Sequence, residues 1–182
     1  MKLVVGLGNP ERKYVNTRHN LGFEVLDELT RKLNLVDWVK EDKFKSELIK
    51  TTELILAKPQ TFMNNSGIAV RQLADYYKIA PEDIIVVYDE LDLPLGKIKV
   101  RLGGAAAGHH GVESIINTLG TDQFIRVRLG ISNLKIRSAE KFVLEPFLHT
   151  EKAQVKHMIK QAIKALDILL EKGLTIAQNQ YN

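Results

Sequence analysis

The apolar run at residues 84–88 constrains the fold of this chain more than any other segment. All five of its residues (IIVVY) are apolar, without the alternation of a half-exposed strand. The run therefore predicts a central parallel strand that is covered on both faces, and it ends abruptly at Asp89. A second such run at residues 3–7 predicts another buried strand, which is followed by a turn at residues 8–10.

Helical and strand patterns alternate along the rest of the chain. Apolar residues recur at helical spacing after Asn20, Ser66 and Thr150, and each of these three is a suitable N-cap residue. Further strands are predicted over residues 45–50, 53–58, 97–102 and 124–131, and a helix follows the glycine-rich segment 103–111. This order of elements and the length of 182 residues predict one α/β domain that spans residues 1–182.

Composition excludes several classes of protein. The chain has no cysteine, so it can form neither a disulfide framework nor a thiol nucleophile. It shows no signal peptide, and no apolar run approaches the roughly 20 residues of a membrane span. We therefore expect a cytoplasmic protein. The formal net charge of +4 permits an anionic partner such as nucleic acid without requiring one.

Polar residues near the ends of three predicted strands indicate the functional site. His19 lies beyond the strand at residues 3–7, at the mouth of the first helix. Asn64 follows the strand at 53–58, and Asp89 follows the strand at 84–88. Ligands bind at the carboxyl ends of the strands in open α/β sheets. If the three strands are parallel, these side chains should meet at one edge of the sheet.

His19 and Asp89 together predict general-base chemistry. A carboxylate on one imidazole nitrogen fixes the tautomer, and it supports the imidazolium that forms when the other nitrogen takes a proton. Helix capping explains Ser66, and the chain has no G-x-S-x-G nucleophile elbow. We therefore predict direct attack by a histidine-activated water. The side chains of Asn9 and Asn64 could orient an acyl substrate or donate to a developing oxyanion.

Two other kinds of site fit parts of the same segments less well. Residues 6–11 begin like the dinucleotide-binding fingerprint, but the third glycine is missing and a proline delays the helix. A metal site is the second alternative, although the spacing of its possible ligands matches neither H-x-H nor H-E-x-x-H. Those ligands would be His19, Asp89, Asp92, His109 and His110.

Four segments occur in order along the chain: GLGNP at 6–10 with Tyr14 and TRHN at 17–20, KPQTFMN at 58–64, DELDLPLG at 89–96, and GHHG at 108–111. In this order they resemble the signatures of the bacterial peptidyl-tRNA hydrolase family. The resemblance spans nearly the whole chain. It implies a single peptidyl-tRNA hydrolase-like α/β domain with a twisted, mixed, largely parallel sheet flanked by helices. It also implies hydrolysis of the ester between a peptide and the 3′ ribose of tRNA, without metal or cofactor.

The same resemblance implies roles for individual residues. His19 would be the catalytic base and Asp89 its partner. Residues at the matching substrate positions would hold or line the peptidyl ester, with the backbone near Met63 among the positioning groups. This substrate-binding set consists of Asn9, Tyr14, Phe62, Met63, Asn64, His109 and His110.

Alternating cations on two predicted strands form a possible surface for RNA. Lys97, Lys99 and Arg101 share one strand face, and Arg126 and Arg128 alternate on the next strand. A solvated strand face would explain them equally well. The family resemblance favours a specific role, because Arg101 and Arg128 match basic positions that the family uses on the tRNA 5′ phosphate.

Three residues depart from the family pattern. Glu11 replaces a glycine and adds a negative charge near the cleft, and Asn65 replaces an apolar residue. His110 replaces an asparagine that is credited with holding substrate and water. The alternative function is a catalytically weak or inactive relative that acts as an RNA-binding factor, but the presence of both His19 and Asp89 favours the enzyme. We expect the enzyme to be a monomer.

Overall fold

A computed structural model describes residues 1–35, 37–133 and 138–182 of the chain. Within these ranges, seven strands form one sheet in the order β2–β3–β4–β1–β5–β7–β6. The strands are β1 (Lys2–Gly6), β2 (Val39–Glu41), β3 (Ser46–Lys50), β4 (Leu54–Pro59), β5 (Ile84–Pro94), β6 (Ile98–Leu102) and β7 (Ile125–Ser132). The α-helices are α1 (Leu21–Lys32), α2 (Ser66–Tyr77), α3 (His110–Leu119), α4 (Ala139–Val143), α5 (Lys152–Glu171) and α6 (Leu174–Tyr181).

The four central strands of the sheet are parallel. β1 pairs in parallel with both β4 and β5, and β5 pairs in parallel with β7. The outer strands β2, β3 and β6 pair antiparallel with their neighbours. The carboxyl ends of β1, β4 and β5 therefore lie at the same edge of the sheet. This confirms the predicted α/β fold with a mixed, largely parallel sheet.

Helices cover both faces of the sheet, so alternate strand residues enter two separate cores. Val4 and Val87 belong to the core beneath α1 and α5, whereas Val5 and Val86 belong to the core beneath α2 and α3. This two-sided burial explains why residues 84–88 are apolar throughout. Across the described ranges, no helix has both the length and the apolar content that a bilayer span requires.

β5 is longer than its apolar run predicted. Its pairing with β7 continues through Asp89 and Glu90 and resumes at Pro94, with a register shift between the last two positions. Asp89 therefore lies within the strand and not in a loop after it. Such irregularities locally re-aim side chains, and they are common next to functional sites.

The predicted helix caps are only partly correct. Asn20 occupies the N-cap position of α1, but its side chain does not cap the helix. Ser66 is the first residue of α2, where its Oγ donates to the Met63 carbonyl, so the predicted capping role is wrong. The long helix α5 starts at Lys152 with Glu151 in the N-cap position, so Thr150 is not the cap either.

Close packing of α1 on the sheet fixes the segment that carries His19. A Cβ atom on Gly22 would lie 2.4 Å from both the Leu7 nitrogen and the Val87 oxygen, and one on Gly6 would lie 2.4 Å from the Gly22 oxygen. Only glycine permits this approach of helix and strand backbones. The first turn of α1 therefore lies directly against β1 and β5, and the residues before it lie at the carboxyl ends of these strands.

Candidate active site

His19 and Asp89 form the buried pair that the sequence predicted. His19 lies in a short 3-10 turn, Arg18–Asn20, immediately before α1, and Asp89 projects from β5. The His19 Nδ1 atom is 2.9 Å from Asp89 Oδ1 and 3.1 Å from Oδ2. Since an ionised carboxylate only accepts hydrogen bonds, Nδ1 carries the proton and Nε2 keeps its lone pair. This is the tautomer that a general base needs.

A small cavity lies beside this pair. It has a volume of about 60 Å³ and is bounded by β5, by the loop before α3 and by α4. A buried water needs roughly 10–15 Å³ of such volume, so the cavity can hold the water that a base would activate. Its lining residues are His19, Asp89, Glu90, Leu91, Ala107, Gly108, His109, His110, Ala139, Glu140 and Val143.

A second histidine binds the same carboxylate. His109 Nε2 is 3.1 Å from Asp89 Oδ1, and His109 Nδ1 accepts the Val112 backbone N–H at the start of α3. Because Nδ1 is an acceptor, the proton lies on Nε2 and is donated to Asp89. Both ring nitrogens of His109 are thus engaged within the protein. His109 was predicted to belong to the substrate-binding set, and in the structure it bonds to Asp89 and orients that carboxylate.

The two histidines keep the Asp89 side chain ionised although it is buried. Burial disfavours the carboxylate and by itself raises the pKa of Asp89. The electrostatic interactions and hydrogen bonds with His19 and His109 outweigh burial, so the pKa of Asp89 lies well below its ordinary value. A permanently ionised carboxylate is what stabilises an imidazolium on His19 after proton uptake.

The predicted metal cluster is only partly assembled. Ligand atoms of His19, Asp89 and His109 lie within 4.8 Å of one another and could hold a metal ion. In the part of the chain that the structure describes, His110 and Asp92 do not belong to this group. A metal would have to replace the protons that join both histidines to Asp89. The hydrogen bonds already account for the arrangement of the three side chains.

Asn9 is held in one orientation by Met63 and by Asn20, the residue after His19. Its Oδ1 atom accepts the Met63 backbone N–H at 2.9 Å, and the Asn20 side chain bonds to both the N–H and the carbonyl of Asn9. The bond from the Met63 amide therefore fixes the orientation of the Asn9 side chain. Within the described residues the Asn9 Nδ2 group makes no hydrogen bond, so it is a donor available to substrate.

Three other predicted substrate residues are exposed or half-buried. Asn64 belongs to the short turn Met63–Asn65, and its side chain is exposed. Phe62 precedes that turn and is 48% exposed, which is unusual for a large aromatic side chain. Tyr14 is half-buried in the turn Arg12–Tyr14 with Lys13 Nζ over its ring. These positions suit groups that bind a substrate arriving from solvent.

Arg18 is an organising residue that the sequence reasoning missed. It is 2% exposed, and its guanidinium bonds to Glu151 Oε2 at 2.8 Å and to the carbonyls of Glu145 and Pro146. It also stacks on Phe142 at the end of α4. Arg18 thus fastens the turn of His19 to the segment that closes the far side of the cavity. Glu151 lies 133 residues away in sequence, so spacing gave no signal for the pair.

Four of the alternating cations lie on one face of β6 and β7, but they have different environments, whereas Lys97 precedes β6. Arg101 is exposed, and it lies opposite Arg126 in the antiparallel register. Arg126 is 1% exposed and binds the Gly104 and Ala105 carbonyls, so it holds the glycine-rich loop and is not a surface cation. Arg128 lies opposite Lys99 and bonds through Nε to Glu90.

The remaining sequence departures lie outside the buried pair. His110 is exposed at the first position of α3, and its Nδ1 is 3.6 Å from Glu113 Oε2. Glu11 pairs with Lys13 at 2.7 Å, which offsets its charge. The dinucleotide alternative is wrong, because two short 3-10 turns separate β1 from α1 and no helix receives the segment at 6–11.

Comparisons with known proteins agree on one family. The family model for peptidyl-tRNA hydrolase matches residues 3–182. A peptidyl-tRNA hydrolase of Thermodesulfovibrio yellowstonii is 42% identical over 100% of this chain and 99% of its own. One of Aquifex aeolicus is 49% identical over 91% and 88%. The crystal structure of Acinetobacter baumannii peptidyl-tRNA hydrolase matches with a TM-score of 0.91 at 33% identity, covering 100% of this chain and 94% of that one.

Proposed function

The chain belongs to the peptidyl-tRNA hydrolase family, and from this premise we propose that His19 is the general base with which it hydrolyses peptidyl-tRNA. The observation that carries the assignment is the His19–Asp89 bond through Nδ1, which leaves Nε2 without a hydrogen bond from the described residues. His19 also lines a cavity that is large enough for a water. The substrate is a peptide esterified to tRNA, and the products are free tRNA and peptide.

The proposed reaction begins with a water bound at His19 Nε2. Nε2 takes one proton as the water oxygen forms a bond to the ester carbonyl carbon, and the carbonyl oxygen becomes an oxyanion. Asp89 stabilises the resulting imidazolium. The tetrahedral intermediate then expels the 3′ oxygen of the ribose, which receives the proton from Nε2. His109 takes no proton in this scheme and acts by positioning Asp89.

Amide groups at the cleft would align the ester. Asn9 Nδ2 is the best placed donor, because the Met63 N–H and the Asn20 side chain fix its orientation. A preorganised donor aimed at a developing oxyanion contributes more than a mobile one. Asn64, Phe62 and Tyr14 are accessible to solvent and would contact the peptide or the terminal nucleotide.

The basic face of β6 and β7 would bind the tRNA backbone. Arg101 is exposed on β6, and Arg128 keeps its Nη groups free within the described part of the chain. Both have the chemistry that phosphate oxygens require. Arg126 is excluded from this role by its burial.

Arg101→Ala and Arg128→Ala are expected to raise KM for peptidyl-tRNA and leave kcat nearly unchanged. Each should also flatten the salt dependence of binding, by about one unit of slope for every phosphate that the variant no longer binds. The measurement is steady-state hydrolysis across a range of salt concentrations. Arg71→Ala is the matched control, because it removes an exposed arginine from α2. Equal losses on a minimal substrate without the 5′ phosphate would show that the arginines act structurally.

His110→Asn is expected to raise kcat/KM modestly at acid pH. Neutral histidine offers one donor and one acceptor, as asparagine does, but protonated histidine has no acceptor for a water. It also adds a positive charge to the cavity that His19 lines. Because the His110 side chain is 61% exposed and near Glu113, solvent screens that charge, and we expect about a twofold gain on the acid side of the profile. Superimposable pH profiles of kcat/KM would mean that His110 does not contact the reacting water.

A single-turnover assay on peptidyl-tRNA tests the enzyme directly. Excess protein is mixed with labelled substrate, and release of the peptide is followed. An RNA-binding relative without catalysis would retain tRNA binding and leave the ester intact. The retained pair and its geometry favour hydrolysis, so we expect release that depends on His19.

Three further properties belong to the same proposal. All groups assigned to the reaction come from one chain, so a monomer is sufficient. Hydrogen bonds among His19, Asp89 and His109 prepare the base without a metal ion or another cofactor. Peptidyl-tRNA arises during translation, which places the enzyme in the cytoplasm.

A further inference from the structure

Glu90 connects the catalytic strand to the basic face. It follows Asp89 in β5, is 3% exposed and lines the same cavity as His19. Both of its oxygens are used: Oε1 accepts the Asp92 backbone N–H at 3.0 Å, and Oε2 accepts Arg128 Nε–H at 3.0 Å. The carboxylate is therefore fixed, and it holds Arg128 through a single edge of the guanidinium.

The hydrogen bond to Glu90 leaves the Nη groups of Arg128 available to bind an anion. A guanidinium is a planar fork with five N–H groups, and only Nε is occupied in the described structure. Arg126, on the same strand face, differs because both of its Nη groups are committed to loop carbonyls. Lys99 lies directly opposite Arg128 in the strand register, and Arg101 is exposed further along β6.

We infer that Glu90 is a positioning residue, which aims the Nη edge of Arg128 at a terminal phosphate of the tRNA. This inference rests on the proposed phosphate contact of Arg128. It assigns Glu90 a part in discriminating substrates that carry the phosphate from those that lack it. Because Glu90 and Asp89 are consecutive in β5, the phosphate site has a fixed distance from the catalytic pair.

The negative charge of Glu90 allows one substitution to distinguish a positioning role from a purely electrostatic one. If Glu90 acted only through its charge, removing that charge would strengthen binding of an anionic phosphate. If Glu90 positions Arg128, Glu90→Gln should weaken it. A glutamine has one acceptor oxygen for two N–H donors, so either Asp92 or Arg128 loses its bond. The two explanations therefore predict changes of opposite sign.

The measured quantity is the ratio of kcat/KM on 5′-phosphorylated peptidyl-tRNA to that on the same substrate after dephosphorylation. A loss of folded or active protein affects both substrates alike and cancels in this ratio. We expect Glu90→Gln to lower the ratio about tenfold, as loss of a charge-assisted hydrogen bond predicts. Asp92→Asn is the charge control: this exposed residue makes no side-chain hydrogen bond within the described ranges, and its variant should keep or raise the ratio.

Two Arg128 variants complete the experiment. Arg128→Lys keeps the positive charge but has no planar guanidinium that Glu90 could orient through Nε. It should therefore lower the ratio as Glu90→Gln does. In an Arg128→Ala background, Glu90→Gln should have no additional effect on the ratio. An unchanged or raised ratio for Glu90→Gln, together with a lowered one for Arg128→Ala, overturns the positioning role and leaves the proposed phosphate contact intact. An unchanged ratio for Arg128→Ala overturns the phosphate contact itself.

Discussion

His19→Ala is expected to lower kcat for peptidyl-tRNA at least about 100-fold, which lies within the usual contribution of a general base. The loss should fall on kcat because Nε2 acts on the water and not on the bound tRNA. Affinity for tRNA should hardly change, since phosphate contacts supply most of it and the proposed ones lie on β6 and β7. This separation of chemistry from binding is the main signature of the proposed mechanism.

The test measures single-turnover rate and tRNA affinity on the same preparations. His149→Ala is a matched control, because it removes an exposed histidine outside the site. A thermal unfolding curve for His19→Ala checks that the fold survives loss of the bond to Asp89. Near-normal turnover with an intact fold would show that another group activates the water, and the mechanism would then be wrong.

The contact between His19 and Asp89 could be predicted because each residue has a local signal in the sequence. A continuous apolar run that ends at Asp89 indicates a buried parallel strand, and helical spacing after Asn20 places His19 at a helix start. The parallel pairing of β1 with β5 then brings both residues to one edge of the sheet. The extent of β5 was predicted incorrectly, because its continuation past Asp89 depends on pairing with β7 and not on its own composition.

The supporting contacts could not be predicted, because their partners lie far apart in sequence. His109 reaches Asp89 across 20 residues, and Asn9 accepts a bond from Met63 across 54. Periodicity specifies which face of an element is buried, but not which polar groups meet across the fold. The alternation of Arg126 and Arg128 made both equally good candidates for a surface that binds RNA. Only the contact of Arg126 with the glycine-rich loop shows that this residue has a structural role.

Asp89→Asn is expected to lower kcat about 10- to 100-fold, the equivalent of losing one charge-assisted hydrogen bond. Oδ1 of Asp89 accepts hydrogen bonds from both histidines, and Oδ2 lies 3.1 Å from His19 Nδ1. In asparagine one of these positions becomes an NH₂ group. An NH₂ group there opposes the N–H of His19 and favours the tautomer with the proton on Nε2, which cannot act as the base. The lost charge also removes support for the imidazolium.

The free energy of unfolding at acid pH provides a second measurement for Asp89→Asn. Because the pKa of Asp89 is lowered in the folded protein, its ionised form stabilises the fold above the ordinary carboxyl range, and this stabilisation is lost as pH falls. Asparagine does not titrate. The difference in unfolding free energy between the parent protein and Asp89→Asn should therefore shrink as pH falls below about 4, where an unfolded aspartate takes up a proton. A difference that is constant across this range, together with unchanged kcat, would mean that Asp89 is not the ionised partner of the two histidines.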